Sequence, residues 1–537
     1  MVIKYPHLVL SGILCGIGLL ISDVWFLSIV GLLPFIHFLY RGSPENAWII
    51  FKGVALFGVV YVATALIWFW HVLPLDWLGS GSIASSAIVF FSWGIVALSL
   101  GVTFGIFSIV FLILRQNNPS DVLLFSALFV LTQYLQMWVF TFVTWGTSSL
   151  LGAHFSAVFL GYALASFSPL LQLASIGGIY LLTFTAVLFA LLFYYLLLHN
   201  RRWRAFVFSS TIALAIFLTV TDHREPLTRT AADPEAGFLR VALISTSFSP
   251  DIPQSEADKA FRRNEQLRVV HTWMKEHDAP DLLVFPETAD VFPQGAADVE
   301  SLQRSVFGTT SIAIIDSTLV TRDVDNVQRM YFWRSSPSEI PRTYDKLFLV
   351  PQGEYEPWFA SVPMRLFDAS RISSDTRHSR TTLMRGEAQT IFSHDKATIG
   401  ALFCSEILSP TLYRELVDNG ASILVNASSL AGFHGSPLVD SFVLTIAKVR
   451  AVENNRFLAI AAHEAPASII SARGEVIARS TSGVTSILSS DVPLIYAKTI
   501  YTQTGDLVLV LPALFVLPYL YMRYVHRNPS SGLHAQR

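Results

Sequence analysis

The sequence predicts a two-part chain, a multi-span α-helical membrane domain followed by an extramembrane α/β domain. Three observations carry that prediction. The chain of 537 residues is 52% hydrophobic and only 14% charged, with a mean hydropathy of +0.50, too apolar for a soluble protein of this size. Long apolar runs fill the sequence from Leu8 to Val220, and one more occupies 506–523. Between them, residues 222–505 carry charges throughout, and short β-type runs alternate with amphipathic stretches.

Crossing a bilayer takes about 20 helical residues. Spans are expected at 8–22, 24–40, 48–70, 86–114, 121–145, 165–197 and 205–221, with an eighth at 506–523. The first run lacks a small-residue cleavage site and leads straight into a second, which argues against a removable signal peptide. Lys4, Arg41, Arg115, the cluster Arg201, Arg202 and Arg204, and finally Arg523 and Arg527 fall at the ends or in alternate connections, which marks those places as cytoplasmic. The connections around Asp23, His71–Asp76 and Trp145–His154 lack Lys and Arg and face outward. With eight spans both termini are inside and the polar region is outside. The expected division is therefore 1–221 for the membrane domain, 222–505 for the polar domain, and 506–537 for a last span and short tail.

In the polar region, strands are expected at 238–246, 281–287, 310–318, 397–403, 421–428 and 456–462, and helices at 255–277, 407–419 and 438–454. Buried strands separated by helices predict layers packed on central sheets. A net charge of -2 with no basic block speaks against nucleic acid as a partner. Cys15 lies in an apolar span and Cys404 in the polar region, which leaves no disulfide pair and no metal-binding cluster, so Cys404 is read as a free thiol.

Strand ends are where an α/β domain presents its chemistry. Glu287 ends DLLVFPE, Lys346 sits in RTYDKLFLVPQGEYEP, and Cys404 ends ATIGALF just before an expected helix. A thiol at a helix N-terminus meets oriented N–H groups that favour thiolate. A carboxylate can take its proton and a lysine can hold a developing oxyanion. Taken singly, each has an ordinary explanation: a small core residue, a helix-cap acid, a surface ion pair. Their joint occurrence at strand ends is what points to catalysis.

FPETAD, YDKLFLVPQGEYEP, LFCSE, KVRAVENNR and YTQTGD, set between membrane spans, resemble the bacterial apolipoprotein N-acyltransferases, membrane members of the nitrilase (carbon-nitrogen hydrolase) superfamily. The resemblance covers nearly the whole chain. It implies a nitrilase-like α-β-β-α sandwich in which Glu287 is the general base, Lys346 the oxyanion stabiliser and Cys404 the nucleophile. Glu354 matches a second essential carboxylate, Glu406 matches the acid two residues after the cysteine, and Tyr355 and Asn426 are supporting or substrate-binding positions. Departures are local. Cys404-Ser405-Glu406 stands where Cys-Tyr-Glu is usual, and Gln352-Gly353-Glu354 where Phe-Gly-Glu is usual. The segments Asn426–His434 and His463–Ala465 lose the usual acid, tryptophan and Asn-Thr-Gly.

The resemblance further implies acyl transfer from a phospholipid, through a Cys404 thioester, to the α-amine of a diacylglyceryl-modified lipoprotein. No cofactor and no metal are called for. The implied setting is the bacterial inner membrane, multi-pass, with the catalytic domain periplasmic and the protein a monomer in the lipid bilayer. Aromatic loops at 356–367 and 429–438 are read either as arms dipping into the interface or as packed surface loops. Two other functions stay open on sequence grounds: a membrane-anchored nitrilase-like amidase or an N-acyltransferase with another acceptor, and a non-catalytic protein that binds lipids or lipoproteins.

Overall fold

The computed structural model describes residues 5–75, 81–118, 120–198, 237–248, 255–292, 312–322, 325–334, 340–360 and 382–527. The expected span at 205–221, the arginine cluster before it and Asp76 lie outside the described residues. The N-terminal part contains α1 (Pro6–Leu20), α2 (Phe26–Tyr40), α3 (Ala47–Ala65), α4 (Ser82–Leu114), α5 (Asp121–Val143), α6 (Ser168–Leu171) and α7 (Ala174–Leu198). Among the described residues five helical segments are long and apolar enough to cross a bilayer: 44–72, 82–114, 121–143, 174–197 and 500–521. At 15 residues each, α1 and α2 reach about 22 Å, short of a hydrocarbon core of about 30 Å. Small residues let these helices touch. A Cβ on Gly58 of α3 would lie 2.3 Å from the carbonyl oxygen of Gly101 in α4.

The expected span 165–197 is not continuous. Residues 160–166 form 3-10 turns, and α7 is broken at Gly177-Gly178. Gly178 takes φ 60 and ψ -160, a conformation only glycine adopts readily, and a Cβ there would strike the Tyr501 ring at 2.5 Å.

The polar part contains β1 (Phe238–Thr246), α8 (Glu256–Trp273), β2 (Leu282–Val284), β3 (Ala313–Arg322), β4 (Asp325–Trp333), β5 (Arg342–Asp345), β6 (Ile391–Ser393) and β7 (Thr398–Phe403). It continues through α9 (Pro410–Asp418), β8 (Ile423–Ser429), α10 (Pro437–Asn454), β9 (Leu458–His463), β10 (Ser468–Ile470), β11 (Val476–Arg479), β12 (Ser486–Pro493), α11 (Ile500–Thr504) and α12 (Val510–Arg527). The main path of strands runs β5-β4-β3-β2-β1-β9-β8-β7-β6, joined in the middle only by Ser245 opposite Ala462 and Thr246 opposite His463. The sheet folds back on itself at that narrow join. Phe332 of β4 stacks on Phe392 of β6 with ring centres 5.1 Å apart, and Tyr344 of β5 lies 5.9 Å from Phe403 of β7. Two wings thus face each other across an apolar core. Outside the first wing, Leu267 and Val270 of α8 pack on Ala242, Ile244, Leu283 and Ile314. Outside the second lie α9 and α10. The layer order is α-β-β-α as the sequence implies, built from one continuous sheet and not from separate ones.

The two parts are docked by named bonds. Tyr355 Oη donates to the carbonyl of Thr144 (2.9 Å), Trp358 N to that of Trp145 (2.9 Å), and Ser156 N to that of Leu408 (3.2 Å). Of the two loops read as arms, 361–367 lies outside the described residues; Trp358 is exposed and Phe359 buried. In the other, Phe433 sits 5.7 Å from Trp68, against the membrane part.

Candidate active site

Glu287 follows β2 in a turn that an ordinary strand end would not make. Thr288 and Asp290 both take positive φ, 58° and 51°, a backbone state uncommon for residues with a Cβ. The turn is pinned from two sides: Glu287 N donates to Ser428 O on β8 (3.3 Å), and Thr288 N to Ser317 Oγ on β3 (2.9 Å). Lys346 follows β5, where its N–H donates to Gln328 O of β4 at 3.0 Å. Its side chain, 1% exposed, is held between two carboxylates: Nζ lies 2.8 Å from Glu287 Oε1 and 2.6 Å from Glu354 Oε1. The other oxygen of Glu354 accepts from Val350 N at 2.7 Å, which ties that carboxylate to its own loop.

Cys404 follows β7, and its Sγ lies 3.4 Å from Ser429 O at the end of β8. The expected helix N-terminus at the thiol is not there. Residues Cys404–Leu408 form a five-residue 3-10 turn, and α9 starts only at Pro410, capped by Ser409 Oγ accepting from Leu412 N at 3.3 Å. Proline suits the first helical position and cannot sit further in, so it fixes the start there. Thiolate is therefore not favoured in the resting site. Burial pushes the Cys404 thiol up to about 11, and the charge of Glu287 adds to this while Lys346 opposes it.

Burial likewise pushes the Glu287 carboxyl up to about 7, against the pull of the Lys346 ammonium. For Lys346, burial works against charge, but the two carboxylates outweigh it and hold the ammonium firmly protonated. The arrangement is a carboxyl that titrates near neutrality, a fixed cation and a protonated thiol, each within the electrostatic influence of the others.

The remaining sequence-expected residues sit around this centre. Glu406 is fully buried and ties the strand ends that carry Lys346 and Cys404 together. Its Oε1 accepts from Tyr344 Oη (2.6 Å), Leu347 N (2.8 Å) and Phe348 N (3.1 Å), and its Oε2 from Phe403 N (2.7 Å). Ser405 Oγ adds a bond to Phe348 O at 2.8 Å. Tyr355 turns to the membrane part, as described. Asn426 is fully buried and gives its amide to Tyr413 Oη of α9 at 2.9 Å, in the outer layer. Residues that sequence reasoning did not single out one by one are Tyr344, Ser428 and Ser429, while His463 stood out there only as a departure from the usual Asn-Thr-Gly. The His463 ring bonds the Glu287 main chain, and burial pushes it down to about 4, so it is neutral. The contacts of Tyr344, Ser428 and Ser429 are made through main-chain atoms and single hydroxyls, which leave no mark in residue spacing.

Residues 344–500 match the Carbon-nitrogen hydrolase family, and residues 11–192 match the Apolipoprotein N-acyltransferase N-terminal domain family. The chain thus combines a match to an apolipoprotein N-acyltransferase N-terminal domain in its membrane part with a match to a carbon-nitrogen hydrolase domain in its polar part. Among its relatives, the apolipoprotein N-acyltransferase of Geobacter metallireducens is 25% identical over 94% of this chain and 92% of its own length. That of Rickettsia bellii is 24% identical over 77% and 78%, and that of Rickettsia prowazekii 21% identical over 96% and 97%. Of solved structures, the nitrilase-superfamily protein Nit3 of Saccharomyces cerevisiae aligns over 48% of this chain and 90% of its own at 15% identity, with a TM-score of 0.36.

Proposed function

We propose that this protein is an apolipoprotein N-acyltransferase that moves an acyl chain from a phospholipid to the α-amine of a diacylglyceryl-modified lipoprotein, through a thioester on Cys404. The observation that carries the reading is Lys346, buried between Glu287 and Glu354 and acting electrostatically on the Cys404 thiol. The division into 1–221, 222–505 and 506–537, eight spans, a periplasmic catalytic domain in the inner membrane and a monomeric state belong to the same proposal.

The burial and pairing of these groups support the following course. Glu287, as carboxylate, takes the proton of Cys404 while Sγ attacks the ester carbonyl. The tetrahedral oxyanion forms beside the Lys346 ammonium, which is already paired and pre-oriented and so need not reorganise. Collapse breaks the ester bond, and the departing lysophospholipid oxygen receives the proton from Glu287. The neutral lipoprotein amine then attacks the thioester and gives a proton to Glu287. That proton returns to sulfur as the amide leaves, and the thiol is restored. Glu354 holds Lys346 in register and moves no proton.

The test is direct. Purified protein given phospholipid and no acceptor gains one acyl mass on the Cys404 peptide, removable by neutral hydroxylamine, and adding a diacylglyceryl peptide discharges it as the N-acyl product. Acyl transfer that persists in Cys404→Ala overturns the reading. Discharge only by water makes the protein a hydrolase instead.

A further inference from the structure

Leu408 closes the 3-10 turn that begins at Cys404, so a group that holds Leu408 holds the thiol's turn. Its carbonyl accepts twice from one residue of the membrane part, Ser156, from N at 3.2 Å and from Oγ at 2.5 Å. Ser156 Oγ lies 2.6 Å from Tyr162 Oη. The Tyr162 hydroxyl in turn meets Arg450 Nη2, and Arg450 Nη1 pairs with Glu453, both on α10. All four of these side chains are fully buried.

Counting hydrogens fixes the direction of the chain. Arginine has only donors, so Tyr162 oxygen accepts from it. The single tyrosine hydrogen then goes to Ser156 Oγ, and the single serine hydrogen to Leu408 O. Each hydroxyl donates once, and a cation stands at the head of the series; Arg450 Nη2 also reaches Ser156 Oγ directly, at a longer 3.5 Å. Charge-assisted bonds in dry surroundings are short and polarise the bonds that follow them. The path leaves the catalytic domain at α10, crosses the membrane part at 156–162, and re-enters at the nucleophile's turn. Glu453 adds a second crossing, since its Oε1 accepts from Ile179 N at 2.8 Å, the first residue beyond the Gly177-Gly178 break in α7.

We propose that Arg450, Tyr162 and Ser156 form a positioning relay that sets the reactivity of Cys404, so that the thiol is placed correctly only when the catalytic domain is seated on the membrane domain. The inference rests on Cys404 being the nucleophile. None of the three touches substrate; they act through the Leu408 carbonyl.

The test uses the full-length protein in lipid nanodiscs. Tyr162→Phe and Ser156→Ala each remove one hydroxyl and add no bulk. Two readouts are taken: single-turnover acylation by phospholipid, and alkylation of Cys404 by a small maleimide against pH, located by peptide mass. Each variant is expected to acylate about tenfold more slowly at unchanged KM, and to move the alkylation midpoint by about half a pH unit or more, the equivalent of one hydrogen bond. The double variant is expected to be no slower than the worse single one, because both cut one series. Wild-type rate and pH profile in both variants, even with a lower melting temperature, would show a mere strut and overturn the relay, as would additive losses in the double variant. If one variant does not fold, the other decides. Absence of acyl-Cys404 in the wild type instead removes the proposed function, so the two failures are told apart.

Discussion

Glu287 and Glu453 are both buried carboxylates paired with a buried cation, and burial pushes both up to about 7. Their surroundings differ. Glu453 faces Arg450 and the main-chain N–H of Ile179, partners that neither give nor take a proton near neutrality. Glu287 faces a lysine shared with a second carboxylate, and a thiol. A perturbed carboxyl is therefore not in itself a mark of catalysis. What separates base from strut is whether a transferable proton lies opposite it. Asp316 teaches the same lesson: burial pushes it up to about 7 as well, yet its oxygens are taken by the N–H groups of Val291, Phe292 and Ser317.

The largest effect should come from breaking the pair that faces the thiol. Glu287→Gln keeps the size of the side chain and a hydrogen bond to Lys346 while removing the base. Acylation of Cys404 is expected to fall by ~10²–10⁴, with little change in stability because Glu354 still neutralises Lys346. Single-turnover acylation beside a denaturation curve checks both halves. A near wild-type rate would move Glu287 into the same category as Glu453.

Glu453→Gln should give the reverse pattern. It leaves Arg450 charged in a dry interior, which costs about 3–5 kcal/mol, read as a shift in chemical denaturation of the detergent-solubilised protein. The pH profile sharpens the contrast. Glu287 accepts a proton only when ionised, and its pKa is raised, so acylation is expected to be lost as pH falls through about 7. Glu453→Gln slows the reaction by disturbing the relay but keeps that limb where it is. Glu287→Gln abolishes it. A limb displaced in Glu453→Gln would mean that Glu453, and not Glu287, titrates in the reaction.

These two carboxylates also show what sequence can and cannot carry. Glu287 was legible because it ends a run of apolar β-formers, and Lys346 and Cys404 end similar runs. Glu453 lies within KVRAVENNR, where nothing in the spacing says that its partner is the broken end of a membrane helix. Strands buried on both faces, β1, β3, β7, β8 and β9, were readable within a few residues as continuous apolar runs. Those missed, β4, β5, β6, β10, β11 and β12, are short or polar; β12 reads SILSSDVP and is mostly half-buried. Their strand state comes from pairing with neighbours and not from their own pattern. The thiol's helix was misplaced for a local reason. Amphipathic spacing begins at Ile407, but Ser409-Pro410 sets the true start and leaves Cys404 on a 3-10 turn. The expected thiolate went with it, and the need for a base grew accordingly.

The smallest effect belongs to a contact that touches neither carboxylate. Tyr355 comes one residue after Glu354, and its hydroxyl donates to the carbonyl of Thr144, the residue that follows α5. Pro351 and Tyr355 bridge across the loop, and Gln352, at φ 66°, donates its N–H to Tyr355 O at 2.8 Å. The loop that carries Glu354 is thus braced from within as well as by the membrane part. Tyr355→Phe removes one neutral hydrogen bond, leaves the ring packed against Gly146, and keeps the internal brace. A loss of about 1 kcal/mol is expected, seen as a small shift in chemical denaturation, with acylation within about threefold of wild type. A loss as large as that of Glu287→Gln would mean that Glu354 depends on the membrane domain for its position. Seating of the domains would then control Lys346 as well as Cys404, and the division between a catalytic and a structural buried charge would no longer follow the two sites.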